Sequence, residues 1–108
     1  MLTEDMPAQP DFNALINKAP LMIFMKGSPV KPLCVFGQDL IKIFWDAKLC
    51  FDSFDISSDE NVCQGLKKLS NCETYPQVFF NGIFVGGWDT IKALQESGDL
   101  KNKLKIQF

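Results

Sequence analysis

The residue best suited to act as a nucleophile or a ligand is the cysteine in KPLCVFGQDL, residues 31–40. Cys34 follows a proline-containing loop and precedes a segment whose apolar spacing predicts a helix, so we expect it at a helix N-terminus. Unpaired N–H groups and the helix dipole stabilise a thiolate there, and Lys26, which ends the preceding predicted strand, adds positive charge. Gly37 stands where a Cys-x-x-Cys pair would have its second cysteine. From position alone, Cys34 is either a working nucleophile or ligand, or an ordinary small core residue.

The stretch TYPQ, residues 74–77, supplies a second candidate. Pro76 opens a predicted strand and is a candidate cis-proline. A cis bond would hold the backbone of Tyr75 open, so that an extended, peptide-like ligand could pair with it. The alternative is a trans-proline at the start of an edge strand.

The stretch GGWD, residues 86–89, is the third candidate. Its glycines, including Gly87, permit close backbone approach, and the N–H groups of Trp88 and Asp89 would point outward as an anion-binding helix start. The Asp89 carboxylate could also bind an ammonium group. The alternative is a glycine-rich turn in which Asp89 is an ordinary helix cap.

The composition excludes several kinds of site. The 108 residues include no histidine, and all 11 basic residues are lysine. A Cys-His dyad, a Ser-His-Asp triad and histidine metal ligands are therefore excluded, and any anion must be held by lysine or backbone N–H groups. The net charge of -2 gives no electrostatic basis for binding nucleic acid. No apolar run approaches the roughly 20 residues of a membrane span.

The four cysteines, at positions 34, 50, 63 and 72, are expected to be reduced thiols. No pair has the short spacing of a structural zinc site. Cys50 heads a predicted strand and is expected in the core. The first residues carry acids and no lysine, which is typical of neither a secretory signal nor a transit peptide. We therefore expect a cytoplasmic protein, possible also in the nucleus.

The pattern of the chain alternates between helix and strand. It predicts helices over 11–19, 35–48, 57–70 and 88–98, strands over 21–26 and 50–56, and a hairpin over 76–87 that turns at Asn81 and Gly82. The first two strands flank a helix and should be parallel, whereas the hairpin strands must be antiparallel. We expect one α/β domain over 11–108, a mixed four-stranded sheet flanked by helices, behind an N-terminal tail of residues 1–10.

The apolar residues of two predicted helices define their expected buried faces. These faces comprise Phe36, Leu40, Ile43, Phe44 and Ala47 in one helix, and Val62, Leu66 and Leu69 in the other. The second of these helices has Ser58 or Asp59 as its expected N-cap. The last ten residues, 99–108, could add an amphipathic turn or two.

Three segments together resemble a known family. LMIFMKGSPVKPLCVFG, SFDISSDENVCQGLKKLSN and TYPQVFFNGIFVGGWD follow one another in the order and spacing of the monothiol, CGFS-type glutaredoxins. The residue sequence of the middle segment and the tyrosine of TYPQ resemble those of the glutaredoxin domains in PICOT-type thioredoxin–monothiol glutaredoxins. The resemblance implies the thioredoxin-like glutaredoxin fold and covers nearly the whole chain.

The resemblance also implies cofactors and partners. The family's single active cysteine binds glutathione, or ligates one iron of a [2Fe–2S] cluster that two protomers share, with two glutathiones supplying the other sulfur ligands. Carried over, Cys34 would be nucleophile or iron ligand. The protein would be a homodimer when cluster-bound and otherwise a monomer, with iron–sulfur client or BolA-like proteins as possible partners.

Glutathione would be held by a defined set of side chains and backbone groups. Lys26 would hold the thiolate and the glycyl carboxylate, Tyr75 would pair with the cysteinyl part, and Asp89 would bind the γ-glutamyl ammonium. The full set that the resemblance implies is Lys26, Cys34, Phe36, Lys67, Tyr75, Pro76, Gly87, Trp88 and Asp89.

Four positions depart from the family pattern. Val35 and Gly37 replace the glycine and serine of CGFS, Cys63 replaces an arginine that would clamp the glycyl carboxylate, and Glu73 puts a carboxylate near a site for anions. These departures leave two alternatives to cluster binding or transfer. One is a glutathione-dependent thiol–disulfide oxidoreductase, with Cys63 or Cys72 as a late resolving thiol. The other is a diverged, non-catalytic interaction module.

Overall fold

The computed structural model describes residues 11–104. Its helices are α1 (Phe12–Ile16), α2 (Val35–Asp46), α3 (Glu60–Ser70), α4 (Trp88–Ser97) and α5 (Leu100–Lys103). Its strands are β1 (Leu21–Met25), β2 (Asp52–Asp55), β3 (Gln77–Phe80) and β4 (Ile83–Gly87), with a 3₁₀ turn over Ile56–Ser58. The predicted tail, 1–10, and the last part of the predicted terminal turn, 105–108, lie outside the described residues. None of the described helices is both long and apolar enough to span a bilayer.

The four strands form one mixed sheet in the order β2-β1-β3-β4. β1 is parallel to β2, with Phe24 opposite Phe54, and antiparallel to β3, with Phe24 opposite Gln77. β3 and β4 pair as an antiparallel hairpin. The predicted parallel crossover and the predicted antiparallel hairpin are both confirmed.

The central strand β1 divides the core into two layers. All five of its residues are buried, as expected for a strand covered by helices on both faces. Because side chains alternate along a strand, Leu21, Ile23 and Met25 pack with α2 and α4. Met22 and Phe24 pack on the other face, with α1 and α3. The sheet edge near Met25 therefore carries elements from both layers, and this edge positions the candidate site.

Turns and caps form where the local sequence predicts them. The hairpin turns through Asn81 and Gly82, with φ of 53° and 80°, the left-handed conformation that a two-residue turn of this type requires. Asp11 caps α1 by accepting the Ala14 N–H at 3.0 Å. Of the two expected caps of α3, Asp59 is the one used, since its side chain accepts the Asn61 N–H at 3.0 Å.

Two burial predictions away from Cys34 are wrong, those for Leu69 and Cys50. Leu69 is 54% exposed, because α1 docks on α3 through the ring of Phe12, which lies over Gly65 and leaves Leu69 at the margin of that contact. Cys50 is exposed rather than in the core. β2 begins two residues later than Cys50, so Cys50 lies outside the strand, and the neighbouring Phe51 packs inward against Phe44 at a ring distance of 5.5 Å in its place.

Candidate functional site

Cys34 is the N-cap residue of α2. Its backbone is extended, with φ −138° and ψ 139°, and its carbonyl accepts the Gln38 N–H at 2.9 Å, the first turn of the helix. The thiol makes no capping hydrogen bond, and the residue is half-buried. The predicted position at a helix N-terminus is confirmed.

The loop before Cys34 closes on itself and brings Lys26 back to the cysteine. The Leu33 N–H donates to the Lys26 carbonyl at 3.0 Å, and the Ser28 and Lys31 backbones exchange hydrogen bonds of 3.2 and 3.1 Å. Gly27, at φ 86°, allows the chain to reverse there. Because the Lys26 carbonyl pairs with the residue next to Cys34, the loop places Lys26 and Cys34 on the same groove.

Asp55 is a positioning residue that the sequence did not single out. Its carboxylate accepts the Gly27 N–H at 3.0 Å and both the N–H and the hydroxyl of Ser57. These bonds, the Ser57 hydroxyl first, hold the pKa of the Asp55 carboxyl below its usual value. An Asp two residues before a Ser is a sequence signal for the local turn. The bond to Gly27 joins residues 28 apart and has no such signal.

Asp55 should make stability depend on pH in the acid range. Since its folded-state pKa is lowered, its contribution is full above the ordinary value of 3.8 and is lost as pH falls through the folded-state pKa. We expect Asp55→Asn to have a lower thermal midpoint than wild type at neutral pH. The difference between the two midpoints should disappear below pH 3.8. Asp46→Asn, an exposed position at the end of α2, is the matched control. A gap of constant size at all pH values would contradict this role of the charge.

A groove of about 630 Å³ opens beside Cys34. It lies between the end of β1, the start of α2, one face of α3 and the segment that leads into β3. The predicted site residues that line it are Lys26, Cys34, Phe36, Lys67, Tyr75 and Pro76. This groove is named the first pocket below.

A smaller pocket of about 380 Å³ adjoins the first. Gly87, Trp88 and Asp89 line it, and Phe36 and Tyr75 line both pockets. The predicted site residues therefore all border one continuous depression around the start of α2. This second pocket ends at the start of α4, where Gly87 is the N-cap. Asp89 makes no capping bond and is exposed, so the alternative that it caps α4 is wrong.

Tyr75 connects the wall of the first pocket to α3. The Tyr75–Pro76 peptide bond is cis, as the sequence suggested. The Tyr75 hydroxyl donates to the Cys63 carbonyl at 2.6 Å, and burial above all raises the pKa of Tyr75 well above its usual range. Its backbone N–H and carbonyl have no partner among residues 11–104. Those groups are free to pair with an extended ligand, while the side chain fixes their position.

Phe36 and Trp88 meet between the two helices that border the second pocket. Their ring centroids are 5.0 Å apart, and the Trp88 indole N–H donates to the Asp39 carboxylate of α2. Phe36 was expected on the buried face of α2 but is 50% exposed, because it lies one turn before the first deeply buried leucine, at the open end of the helix. It serves as a pocket wall rather than as core.

Charges of both signs face the first pocket. Lys26 and Lys67 line it together with Glu60 and Glu73, so the lysines are offset by carboxylates. Cys63 lines the pocket as well, at the position where the resemblance implies an arginine. Binding of an anion in the first pocket would therefore depend on where the two lysine side chains lie rather than on a net positive field.

The four thiols differ in accessibility, and this gives a test of Cys34. Cys63 is buried, Cys34 and Cys72 are half-buried, and Cys50 is exposed. Accessibility alone predicts that Cys50 is alkylated fastest. We expect Cys34 to react several-fold faster than Cys50 with iodoacetamide at neutral pH, because Cys34 lies at a helix N-terminus, where reactive cysteines are typically found. Peptide mapping by mass spectrometry measures each rate, and a faster Cys50 would contradict the activation of Cys34.

Comparisons with known proteins agree with this arrangement. The family model described as Glutaredoxin matches residues 21–85. Glutaredoxin 3 from Danio rerio is 54% identical over 88 residues, which are 82% of this chain and 27% of that protein. Monothiol glutaredoxin-S17 from Arabidopsis thaliana is 44% identical over 103 residues, 95% of this chain and 21% of that protein. The chain thus spans about a quarter of the length of these two relatives.

A solved structure shows the same architecture. The NMR structure of the mature form of 1CGrx1 from Trypanosoma brucei aligns with a TM-score of 0.78 and 34% sequence identity. The alignment covers 88% of this chain and 67% of that one. The likeness includes the sheet and the flanking helices that border the two pockets.

Proposed function

Because the chain belongs to the glutaredoxin family and has its thioredoxin-like fold, as the sequence predicted, we propose that it binds glutathione through Cys34. The observation that carries the proposal is the continuous depression of two pockets around the half-buried Cys34 thiol. Lys26 and Lys67 are available for the glycyl carboxylate in the first pocket. The unpaired backbone of Tyr75 suits the cysteinyl part, and the start of α4 suits the γ-glutamyl end.

We propose cluster binding or transfer as the first role of this site. Within residues 11–104 no three His, Cys, Asp or Glu side chains are grouped as metal ligands, so Cys34 would need sulfur ligands from elsewhere to hold a cluster. Glutathione bound in the pockets would add a second sulfur, and a second copy of the chain with its own glutathione would complete the set. Such a [2Fe–2S] cluster supplies redox-active iron held by exchangeable thiolates. Iron–sulfur client or BolA-like proteins are the proposed partners, and the cytoplasm or nucleus the proposed compartment.

Thiol–disulfide exchange is the second role, and the accessibility of Cys34 favours it. Exchange needs one protein thiolate that an incoming disulfide can reach. The Cys34 thiolate would attack the glutathione sulfur of a mixed disulfide, form a Cys34–glutathione disulfide and release the other thiol. The thiolate of a second glutathione would then attack that sulfur, yielding glutathione disulfide and free Cys34.

Anaerobic reconstitution with iron, sulfide and glutathione separates these roles. A brown dimer with visible cluster absorption is expected for cluster binding. A colourless monomer that removes glutathione from a glutathionylated peptide would leave exchange as the function. Failure to bind glutathione in a calorimetric titration would overturn both and leave a non-catalytic interaction module.

The assignment of the γ-glutamyl end to the second pocket has its own test. Asp89 lines this pocket, whereas Glu96, two turns along α4, does not. We expect Asp89→Ala to weaken glutathione binding by about tenfold, the low end for a charge-assisted hydrogen bond because Asp89 is exposed. Glu96→Ala should leave the affinity unchanged within about twofold. Calorimetry compares the two variants, and equal losses would contradict the assignment.

A further inference from the structure

Gln77 is a fully buried polar residue that lines neither pocket. It is the first residue of β3, and its pairing opposite Phe24 of β1 turns its side chain to the face of the sheet that α1 and α3 cover. From there the side-chain Nε2 donates to the Cys72 carbonyl at 3.0 Å and to the Thr74 carbonyl at 3.2 Å. Because a carbonyl can only accept, the amide nitrogen must face both of them.

The Thr74 carbonyl belongs to the segment that separates the two pockets. Thr74 and Tyr75 each line both pockets. The Tyr75 hydroxyl bonds to α3, but that bond acts on the end of a side chain and not on the backbone. The Cys72 thiol is a weak donor and lies 3.7 Å from the Thr74 carbonyl. The Gln77 amide therefore supplies the strongest hydrogen bond to this part of the backbone within residues 11–104.

The bond to the Thr74 carbonyl sets the direction of the Tyr75 N–H, because both groups belong to one peptide plane. This peptide is trans, so its carbonyl and its N–H point in opposite directions. Gln77 holds the carbonyl towards the interior, and the N–H then points away from it. That N–H has no partner in the described part of the chain. A donor on the carbonyl also polarises the peptide group, which makes its N–H a stronger donor.

Stability alone does not account for an amide at this position. The Gln77 Oε1 is buried and has no hydrogen-bond partner within residues 11–104, and an unpaired buried acceptor is destabilising. Thr74 is exposed and Cys72 is half-buried, so water can hydrate their carbonyls when the amide is removed. A methionine has nearly the same shape as glutamine and lacks the unpaired oxygen. We therefore expect it to cost the fold little.

We propose that Gln77 is a positioning residue of the glutathione site. Its amide holds the peptide between Thr74 and Tyr75 so that the Tyr75 N–H faces the cysteinyl part of the bound glutathione. The inference rests on the proposed binding of glutathione and adds a residue that acts on the ligand only through another residue. Since it concerns binding and no covalent step, it applies to cluster binding and to thiol–disulfide exchange alike.

Gln77→Met tests the proposal, with Val78→Ala as its matched control. Val78 is the next residue of β3, is buried on the opposite face and lines neither pocket. In a calorimetric titration Gln77→Met should bind glutathione about tenfold more weakly than wild type, the loss expected for one well-placed hydrogen bond. Its thermal midpoint should fall by at most about 4 °C. Val78→Ala leaves a cavity in the core, so it should lower the midpoint further and keep the wild-type affinity.

A second measurement follows the Tyr75 N–H itself. Tyr75 is the only tyrosine of the chain, so isotope-labelled tyrosine gives a single backbone amide signal in the NMR spectrum. In wild type, saturating glutathione should move this amide proton downfield, because the N–H gains an acceptor. In Gln77→Met the movement at saturation should be less than about half as large. A role of Gln77 in stability alone would leave the movement unchanged.

Equal affinities of wild type and Gln77→Met, or equal movements of the amide signal, overturn the positioning role while glutathione binding stands. Equal losses of affinity in Gln77→Met and Val78→Ala assign the effect to stability and overturn it too. Absence of binding in wild type overturns the proposed function and the inference together. If Gln77→Met does not fold, Gln77→Asn replaces it. Its shorter side chain cannot hold both carbonyls and should cost about threefold in affinity, and wild-type affinity there overturns the role.

Discussion

Replacing Cys34 by serine is expected to abolish glutathione-dependent exchange, with a loss of at least about a hundredfold in kcat/KM, because a hydroxyl is a far weaker nucleophile than a thiolate. The pockets themselves do not depend on the sulfur. Non-covalent glutathione affinity should therefore stay within about threefold of wild type. Coupled turnover of the mercaptoethanol–glutathione disulfide measures the first quantity, and calorimetry the second.

Cys72→Ser and Cys50→Ser are the controls for this result. Cys72 lines the second pocket and is half-buried, whereas Cys63 is buried, so Cys72 is the next candidate nucleophile. Cys50 is exposed and lines neither pocket. Both variants should keep wild-type turnover. Substantial activity in Cys34→Ser that disappears when Cys72 is also replaced would assign the nucleophile to the second pocket.

The second large effect is expected from Gly27→Ala. Gly27 has φ 86°, where an added side chain costs about 1–2 kcal/mol. A Cβ there would also lie 2.5 Å from the Lys31 carbonyl oxygen and 2.9 Å from the Leu33 nitrogen. These are backbone atoms, so the loop must open. We expect a total loss of roughly 2–4 kcal/mol in the free energy of unfolding, measured by urea denaturation.

Gly98→Ala separates the two causes. Gly98 has nearly the same φ, 82°, and nothing lies within 4 Å of an added Cβ. Its replacement should cost only the conformational part, about 1–2 kcal/mol. Gly27→Ala should in addition weaken glutathione binding, because the closed loop presents Lys26 to the first pocket. Equal losses of stability in the two variants would show that the loop tolerates the clash.

Local sequence patterns predicted most of the fold. The apolar run of β1, the Asn81–Gly82 turn and the cap at Asp59 depend on residues adjacent in the chain, and each is confirmed. The wrong prediction that Leu69 is buried has a different cause. Its burial depends on where α1 docks across α3, and that is set by the fit of the Phe12 ring over Gly65, which no periodicity shows.

The candidate site also combines features set by adjacent residues with features set by the packing of distant elements. Cys34, Pro76 and Asp89 were selected from their local context and from the resemblance, and the structure places them around one depression. The groups that support them were not foreseen. Asp39 meets Trp88 across 49 residues, and the Tyr75 hydroxyl meets the carbonyl of Cys63, a residue of α3. Such bonds depend on how two elements are placed in space, so their partners cannot be read from either segment alone.

Phe36 and Tyr75 line both pockets, so we expect the binding free energies of a ligand's two ends to be coupled. A ligand that orders the ring of Phe36 or Tyr75 in one pocket also changes the surface that the other end of the ligand contacts in the second pocket. The free energies assigned to the two ends by single substitutions should therefore fail to sum to the effect of the double substitution. In a double-mutant cycle, the coupling free energy would then come from Phe36 and Tyr75 rather than from the residues that bind either end of the ligand.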